Sequence, residues 1–177
     1  FFLAIIATYI FYLVIPIIFR SLFIWDEAIY ANNSLEMFLN KNYWQYTYNN
    51  KLDLYNTKPP LVLWLQVISY AIFGVNEFAV RLPSLLSLII ICIVIFYFSK
   101  KQLNDSRVGV FAILFIITTP GLMRPHVFLS GDLDGVFILF FTLVIIQVLK
   151  IIQTNEVNNN HIFSTWLWVF LAYLSKS

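Results

Sequence analysis

Long apolar runs alternate with short polar clusters along this chain, and the lengths of the runs predict helices that cross a membrane. Crossing the ~30 Å hydrocarbon core of a bilayer takes about 20 mostly apolar residues in a helix. Apolar runs near this length occupy residues 1–23, 81–99, 108–122, 133–152 and 162–177. We therefore predict an all-α, polytopic transmembrane protein with about five spans in this sequence.

The segment 24–80 interrupts this pattern and is predicted to form an outer loop that carries two juxtamembrane helices. The second helix, over residues 60–74, is apolar, but at ~1.5 Å per residue it would reach only about 22 Å. Gln66, Ser69 and Tyr70 share one of its faces, which is typical of an amphipathic helix at the membrane interface. We predict that this helix lies on the membrane surface and does not cross.

If that helix does not cross, the polar clusters at the ends of the apolar runs all lie at one membrane face. Ionisable groups near hydrocarbon are costly unless they are paired or hydrated, so such residues are functional candidates. Lys100, Lys101 and Arg107 lie in one short loop at the opposite face. This density of positive charge predicts that the opposite face is cytoplasmic. The face with the clusters would then be periplasmic or luminal. Its ionisable residues are Asp26, Glu27, Lys58, Arg81, Asp132, Asp134 and Lys176.

Composition agrees with a membrane protein and excludes other classes. Of the 177 residues, 60% are hydrophobic and only 11% are charged, which indicates an integral membrane protein. The net charge of +2, without a basic run, excludes nucleic acid as a partner. The single cysteine, Cys92, excludes a disulfide framework and a cysteine metal site.

Three of the clusters each allow a structural and a chemical interpretation. Asp26 and Glu27 could stabilise the start of a helix, or one carboxylate could act as a general base in group transfer. Lys58 before two prolines is, on its own, better explained as a lysine that extends to the interface than as a phosphate ligand. Asp132 and Asp134 could hold a divalent cation or be solvated in a loop.

Two further polar or aromatic features are interpreted as structural. His126 is a lone histidine, which is more often a structural polar contact than a metal ligand. The aromatic residues before the second helix predict an interfacial belt, although their faces could also hold a sugar or a prenyl chain. They are Trp25, Tyr43, Trp44, Tyr46, Tyr48 and Tyr55.

Taken in order, the motifs resemble those of one membrane enzyme superfamily. They run Trp25-Asp26-Glu27-Ala28-Ile29-Tyr30-Ala31, Lys58-Pro59-Pro60-Leu61, Trp64-Leu65, Phe73-Gly74, Arg81-Leu82-Pro83-Ser84, Asp134 before a Phe-rich helix, and Leu174-Ser175-Lys176. This order and spacing is similar to the GT-C membrane glycosyltransferases, in the superfamily of protein mannosyltransferases and aminoarabinose (lipid A) transferases. The chain departs from many relatives at Ile29, where they carry arginine, and at Thr57, where they carry an acid.

The resemblance implies a fold, an activity and a set of site residues. Residues 1–177 would be the N-terminal part of a GT-C transmembrane catalytic domain that inverts the anomeric centre while transferring a sugar from a polyprenyl-phosphate donor. The acceptor would be lipid A, an envelope glycan or a protein, and the enzyme would sit in the bacterial inner membrane among its lipids. No cofactor is certain, and a divalent metal could bind at Asp132 and Asp134. The implied roles are catalysis for Asp26 and Asp134, donor-phosphate binding for Lys58, Arg81 and Lys176, and substrate binding for Glu27, Tyr30 and Asp132.

Two other functions remain open from the sequence. A transporter or a scaffold subunit of a membrane complex would also carry acidic and basic residues, but it predicts acids deep within spans rather than at their ends. A lipid-carrier ligase of another kind would use the same outer face and a phosphate-binding cation. The position of the acids at helix ends favours a transferase over a transporter.

Overall fold

The computed structural model describes residues 11, 15, 20–123, 126–154 and 158–177, and most of the predicted first span, 1–23, lies outside them. The described residues form mainly helices, as predicted, with one short antiparallel hairpin that the sequence did not reveal. The elements are α1 (Asp26–Asn40), β1 (Thr47–Tyr48), β2 (Lys51–Leu52), α2 (Leu61–Phe73), α3 (Glu77–Gln102), α4 (Ser106–Thr118), α5 (Asp134–Thr154) and α6 (Asn159–Ser175).

Side-chain caps explain where three of the helices begin. Asn76 accepts a hydrogen bond from the Ala79 backbone N–H at 2.9 Å, so α3 starts at Glu77, ahead of the predicted boundary at 81. Asp105 caps α4 through the Arg107 N–H at 2.8 Å, and Asn158 caps α6. Such caps satisfy backbone donors that have no partner within the helix.

The helices α3 to α6 pack as neighbours whose ends alternate between two sides of the molecule. α3 and α4 are joined by the short turn 103–105 and therefore run antiparallel. α3 packs on α4 and α5, and α5 packs on α6. The start of α5 and the end of α6 consequently lie at the same side as the start of α3, and this side carries α1 and α2.

Within the described residues, two helices are long and apolar enough to cross a membrane: α3, and α5 over residues 134–153. α2 and α4 are apolar but have only 13 residues each, and α4 ends at Thr118, before the predicted boundary at 122. α6 has 17 residues. The number of spans thus stays a prediction.

The polar face of α2 points into the protein. Gln66, Ser69 and Tyr70, the residues from which an interfacial helix was predicted, are all buried. Gln66 donates to the carbonyl of Gly131 at 2.8 Å, and the Tyr70 hydroxyl donates to the carbonyl of Ala31 at 3.2 Å. Gln66 and Tyr70 thereby join α2 to neighbouring segments, while Ser69 donates to the Leu65 carbonyl within α2. The outer face of α2 is apolar and carries Ile68, Ile72 and Phe73.

A small hydrophobic core holds α1, α2 and the start of α5 together beneath the polar residues of α1. Its buried members are Met37, Val62, Leu63, Val67, Leu133 and Val136. Burying apolar surface contributes roughly 25 cal/mol per Å², so this cluster fixes α1 against the loop that leads into α5. Acidic residues from distant parts of the sequence are thereby brought to one place.

Candidate functional site

Glu27 is buried inside the protein and anchors three segments of the chain to one another. Its carboxylate accepts hydrogen bonds from the backbone N–H groups of Phe23 at 2.6 Å and Gly131 at 2.7 Å. It also forms an ion pair with Arg81, whose Nε lies 2.7 Å from Oε1. Both side chains of the pair have no exposed surface. Glu27 therefore ties together the entry to α1, the start of α3 and the loop before α5.

Arg81 is fully occupied by this anchor. Beyond Glu27, its guanidinium donates to the backbone carbonyls of Arg20 at 2.8 Å and Ser21 at 3.0 Å. The sequence assigned Arg81 to the donor phosphate and Glu27 to substrate. A phosphate or substrate could reach these groups only if the buried pair opened. In this structure the two residues neutralise each other's charge.

Asp26, the neighbour of Glu27, instead faces a cavity of about 190 Å³. Tyr30, one helical turn later, and Lys58, from the loop before α2, also line it. Burial and the nearby carboxylates of Asp26, Asp132 and Asp134 raise the pKa of the Tyr30 hydroxyl, in that order of effect. Tyr30 thus stays protonated and offers a hydrogen-bond donor beside Asp26. The remaining lining residues are Ile29, Tyr55, Asn56 and Thr57.

The loop that carries Lys58 is held by a network of side-chain hydrogen bonds. The Tyr46 hydroxyl donates to the Lys58 carbonyl at 2.6 Å, and Asn56 Oδ1 accepts from the Lys58 N–H at 3.1 Å. Asn56 in turn donates to Asn33 of α1 at 2.8 Å, and Asn33 donates to Asp53 at 2.9 Å. Lys58 is therefore fixed relative to α1 and Asp26.

Asp134 and Lys176 form a second charged pair near the same place. The ammonium of Lys176 contacts Oδ1 of Asp134, and both side chains are partly exposed. The ammonium of Lys58 lies 3.1 Å from the main-chain oxygen of Ser177. The start of α5 and the end of α6 therefore approach the Asp26 cavity, as the sequence predicted for these two residues.

Asp132 lies next to Asp26, and its carboxylate contacts the ring of His126. Asp132 Oδ2 is 2.9 Å from His126 Nδ1 and accepts from the Ser130 hydroxyl at 3.0 Å. Burial raises the pKa of Asp132, Ser130 and His126 lower it, and the charges of Asp26 and Glu27 raise it further. The sequence paired Asp132 with Asp134 for a metal, whereas in the structure Asp132 contacts His126 and Asp134 contacts Lys176.

Backbone strain marks the two edges of this site. Trp25, just before Asp26, has φ 90°, and His126 has φ 88°. Such angles are rare for residues other than glycine and persist where surrounding contacts impose them, often at functional sites. The strained residues therefore adjoin the Asp26 cavity and its acidic neighbours.

The structure brings most of the predicted residues together and adds one that sequence reasoning dismissed. Asp26, Tyr30, Lys58, Asp132, Asp134 and Lys176 gather at one end of the helices, whereas Glu27 and Arg81 lie buried behind them. His126 was interpreted as a structural residue, yet its ring touches Asp132 beside Asp26. The sequence offered one signal for this role of His126, namely its position six residues before Asp132 in a segment that contains prolines.

Comparison with known proteins decides the family. The dolichyl-phosphate-mannose-protein mannosyltransferase family matches residues 57–177, more than half of the sequence. The chain belongs to this family. Asp26 lies outside the matched segment, while Lys58, Asp134 and Lys176 lie inside it. The membership confirms the superfamily suggested by the sequence motifs.

Two curated relatives of this family member are named as bacterial transferases. It is 35% identical over 117 residues to the undecaprenyl phosphate-alpha-4-amino-4-deoxy-L-arabinose arabinosyl transferase of Wigglesworthia glossinidia brevipalpis, a match that covers 66% of this chain and 20% of the relative. It is 32% identical over 146 residues to a transferase of the same name, numbered 2, from Pseudomonas fluorescens, covering 82% and 24%. The chain thus spans about a quarter of these relatives or less.

A solved structure shares the fold of this family member. ArnT from Cupriavidus metallidurans, bound to undecaprenyl phosphate, matches with a TM-score of 0.81 and 22% identity, over 99% of this chain and 32% of that chain. ArnT in the apo state matches with a TM-score of 0.79. The predicted GT-C-like helical fold is therefore confirmed.

Proposed function

We propose that this chain is the N-terminal part of a membrane glycosyltransferase that takes a sugar from an undecaprenyl-phosphate-linked donor. The observation that carries the proposal is the cavity in which Asp26, Tyr30 and Lys58 face one another. A carboxylate and an ammonium that line one small cavity suit a transfer reaction in which the acceptor loses a proton and a phosphate is the leaving group. The names of the relatives, which specify such donors, support this substrate class.

In the proposed reaction Asp26 is the general base. An acceptor hydroxyl or amine gives its proton to the Asp26 carboxylate as its oxygen or nitrogen attacks the anomeric carbon of the sugar. The bond between that carbon and the phosphate oxygen breaks, and undecaprenyl phosphate leaves with the electron pair. Attack opposite the leaving group inverts the anomeric centre. Proton transfer of this kind typically contributes 10²- to 10⁴-fold to rate.

Lys58 would stabilise the leaving phosphate, since its ammonium meets the charge that develops as the bond breaks. Tyr30 would orient the acceptor or the sugar through its protonated hydroxyl. Asp134, paired with Lys176, would complete the wall of the site, and Lys176 could contribute a second cation. Asp26, Lys58 and Lys176 keep the roles that the family resemblance implies for them, whereas Asp134, for which it implies catalysis, is proposed here to hold Lys176.

The proposed setting is the bacterial inner membrane, with the cavity on the periplasmic face. We propose further that α1 and α2 form a juxtamembrane layer in the outer loop 24–80 and that the spans number about five. The apolar outer face of α2 supports this, because a helix too short to cross can rest with that face against lipid. The acceptor would be lipid A, an envelope glycan or a protein.

A transport or scaffold function is less well supported. The carboxylates of this site lie at the starts of α1 and α5 and in the loop 119–133, and a solute path predicts acids within the spans. Release of undecaprenyl phosphate distinguishes the two functions, because a transporter does not cleave a donor.

The test uses the full-length protein, purified in detergent, with undecaprenyl phosphate-4-amino-4-deoxy-L-arabinose as the first donor. Asp26→Asn should lower the rate of undecaprenyl phosphate release by about 10²- to 10⁴-fold, while the protein stays folded. Glu36→Gln, on the same helix but outside the cavity, is the matched control and should keep the rate within about twofold. A folded Asp26→Asn protein that releases undecaprenyl phosphate at the wild-type rate would contradict the assignment of Asp26. A wild-type protein that cleaves no undecaprenyl-phosphate-linked sugar would contradict the function.

A further inference from the structure

We propose that a cleft at the end of the molecule opposite the Asp26 cavity binds one anionic phospholipid. The cleft has a volume of about 450 Å³ and is lined by α3, α5 and α6, of which α3 and α6 both pack against α5. It lies near the end of α3, the end of α5 and the beginning of α6, and it is called here the Lys101 cleft. The loop lysines predict that this end is cytoplasmic, so the lipid would come from the leaflet opposite the Asp26 cavity.

The α3 wall of the Lys101 cleft changes from apolar to polar towards the end of the helix. Its lining residues recur at three- and four-residue spacing and therefore share one face. In chain order they are Ile93, Val94, Tyr97, Phe98, Lys101 and Gln102. At ~1.5 Å per residue this wall is about 14 Å long, which is close to half of the ~30 Å hydrocarbon core. The cleft therefore has the depth of one leaflet.

The walls from α5 and α6 show the same change in polarity. Towards the same end, α5 contributes Leu143, Ile146, Gln147 and Lys150, while α6, which begins at that end, contributes Ser164 and, one turn deeper, Trp168. The Trp168 ring stacks on Phe140 of α5, with ring centroids 6.1 Å apart, so the deep wall is already packed. An amphiphile fits such a cleft with its tail towards the middle of the membrane and its head at the end.

The polar end of the Lys101 cleft is positively charged. Lys101 of α3 and Lys150 of α5 both line it, and none of the described residues that line the cleft is acidic. Gln102 and Gln147 add side-chain amides, whose N–H groups can donate to phosphate oxygens. Basic pockets between membrane helices on the cytoplasmic side favour anionic headgroups. The ligand class is therefore a phospholipid with a net negative charge.

The orientation of the protein in the membrane does not by itself explain this arrangement. Positive charge is expected in cytoplasmic loops, and Lys100 and Arg107 meet that expectation, since both are exposed and neither is among the residues that line the cleft. Lys150 belongs to a different helix from Lys101, yet both line the same cleft. Because Ile93 and Tyr97 of this cleft are 49% and 55% exposed, a ligand with hydrocarbon tails would cover surface that a free phosphate would leave bare.

The experiment measures lipid binding to the full-length protein, purified in detergent and stripped of lipid, without donor or acceptor. Native mass spectrometry follows titration with dioleoyl phosphatidylglycerol and with dioleoyl phosphatidylethanolamine, which has the same tails and no net charge. The wild type should bind phosphatidylglycerol more tightly than phosphatidylethanolamine. Lys101→Gln should weaken phosphatidylglycerol binding by about fivefold, and Lys101→Gln combined with Lys150→Gln by about 30-fold. Binding of phosphatidylethanolamine should change much less.

The double variant Lys100→Gln, Arg107→Gln is the matched control, because it removes two positive charges from the same end but outside the cleft. Its affinity for phosphatidylglycerol should stay within about twofold of the wild type. Equal affinity of the wild type for the two lipids, or an equal loss in the two double variants, would overturn the proposal. Lys101 is exposed, so its single variant decides the question if the double variant with Lys150→Gln fails to fold, and unchanged binding in that folded single variant would also overturn it.

Glycerol 1-phosphate, a soluble headgroup without tails, distinguishes a lipid from a free phosphate as the ligand. It should not displace phosphatidylglycerol at the concentration at which the lipid saturates the protein. Displacement at that concentration would show that the tails contribute nothing and would contradict the lipid assignment. Since neither sugar donor nor acceptor is present, all of these results are independent of the test of sugar transfer.

Discussion

Asp26 and Glu27 are adjacent in sequence and have opposite environments. Glu27 is 1% exposed and accepts from two backbone N–H groups as well as from Arg81. Asp26 opens onto the cavity with Tyr30 and Lys58. Successive residues on a helix point about 100° apart, so one acid can face the protein interior while the next faces a ligand.

The comparison shows how the site keeps a reactive carboxylate in place. The buried pair fixes the first turn of α1 against α3 and Gly131, and the position of Asp26 follows from that attachment. A buried ion pair is weak evidence for net stability, because desolvation offsets the attraction. Breaking it is costly, however, since the remaining charge is left unpaired. Substitution of Glu27 and substitution of Asp26 are therefore expected to give different phenotypes.

The largest effect should come from Glu27→Gln. Loss of one charge leaves the buried guanidinium of Arg81 without the carboxylate that neutralises it, so we expect the free energy of unfolding to fall by ~3–5 kcal/mol. Thermal unfolding in detergent, followed by tryptophan fluorescence, measures this. The double variant Glu27→Gln, Arg81→Met should recover part of the loss, because it removes the unpaired charge. A single variant as stable as the wild type would show that the anchor is not structural.

Lys58→Met tests the role of the Asp26 cavity. We expect kcat/KM for donor cleavage to fall by roughly 10- to 100-fold, since hydrogen bonds to charged groups contribute about 1.5–3 kcal/mol. The melting temperature should not change. Lys51→Met, at an exposed lysine of the same loop, is the control and should leave both quantities unchanged. A loss of stability in Lys58→Met without a loss of turnover would reverse the assignment.

Gly131→Ala probes the backbone that supports the anchor. A Cβ at Gly131 would lie 2.3 Å from Val80 Cγ1 and 3.1 Å from the Val80 carbonyl oxygen. Overpacking of this kind costs about 1–3 kcal/mol, so the free energy of unfolding should fall by that amount. Gly121→Ala is the matched control, because a Cβ there meets nothing within 4 Å. Equal stability of the two variants would mean that the loop moves away without affecting Glu27.

The smallest effect should be a pH dependence of stability at Asp132. Burial raises its pKa from the model-compound value of 3.8, so the folded state favours the protonated acid. That stability is present below about 3.8 and is lost as the pH rises through the raised folded-state pKa. Asp132→Asn should therefore become more stable relative to the wild type as pH rises from 3 to 7. A difference that does not change with pH would contradict the raised pKa.

Part of this site could be predicted because its residues lie where apolar runs end. Asp26, Lys58, Asp134 and Lys176 were placed together by counting which segments cross the membrane. The different roles of Asp26 and Glu27 could not be predicted in this way. Whether an acid at a helix start is buried depends on which partner packs above it, and Glu27 meets Arg81 from 54 residues away.

The fold shows the same limit. Long apolar segments predicted α3 and α5, since their lengths match a bilayer, and an apolar run too short to cross predicted α2. The orientation of α2 was missed because polar residues on one helical face indicate a face that differs from the rest, without indicating whether water or protein meets it. His126 was missed for a similar reason, because its partner, Asp132, is defined only by the folded loop.

The central claim is that the Asp26 cavity and the loop before α5 share one membrane face, and sided labelling tests it most directly. In a Cys92→Ser background, single variants Tyr55→Cys, Gly121→Cys and Lys101→Cys are treated with a membrane-impermeant maleimide in cells with a permeabilised outer membrane. The account predicts that positions 55 and 121 are labelled from the periplasm, and that position 101 is labelled only after the inner membrane is opened. Labelling of 55 and 121 from opposite sides would contradict it.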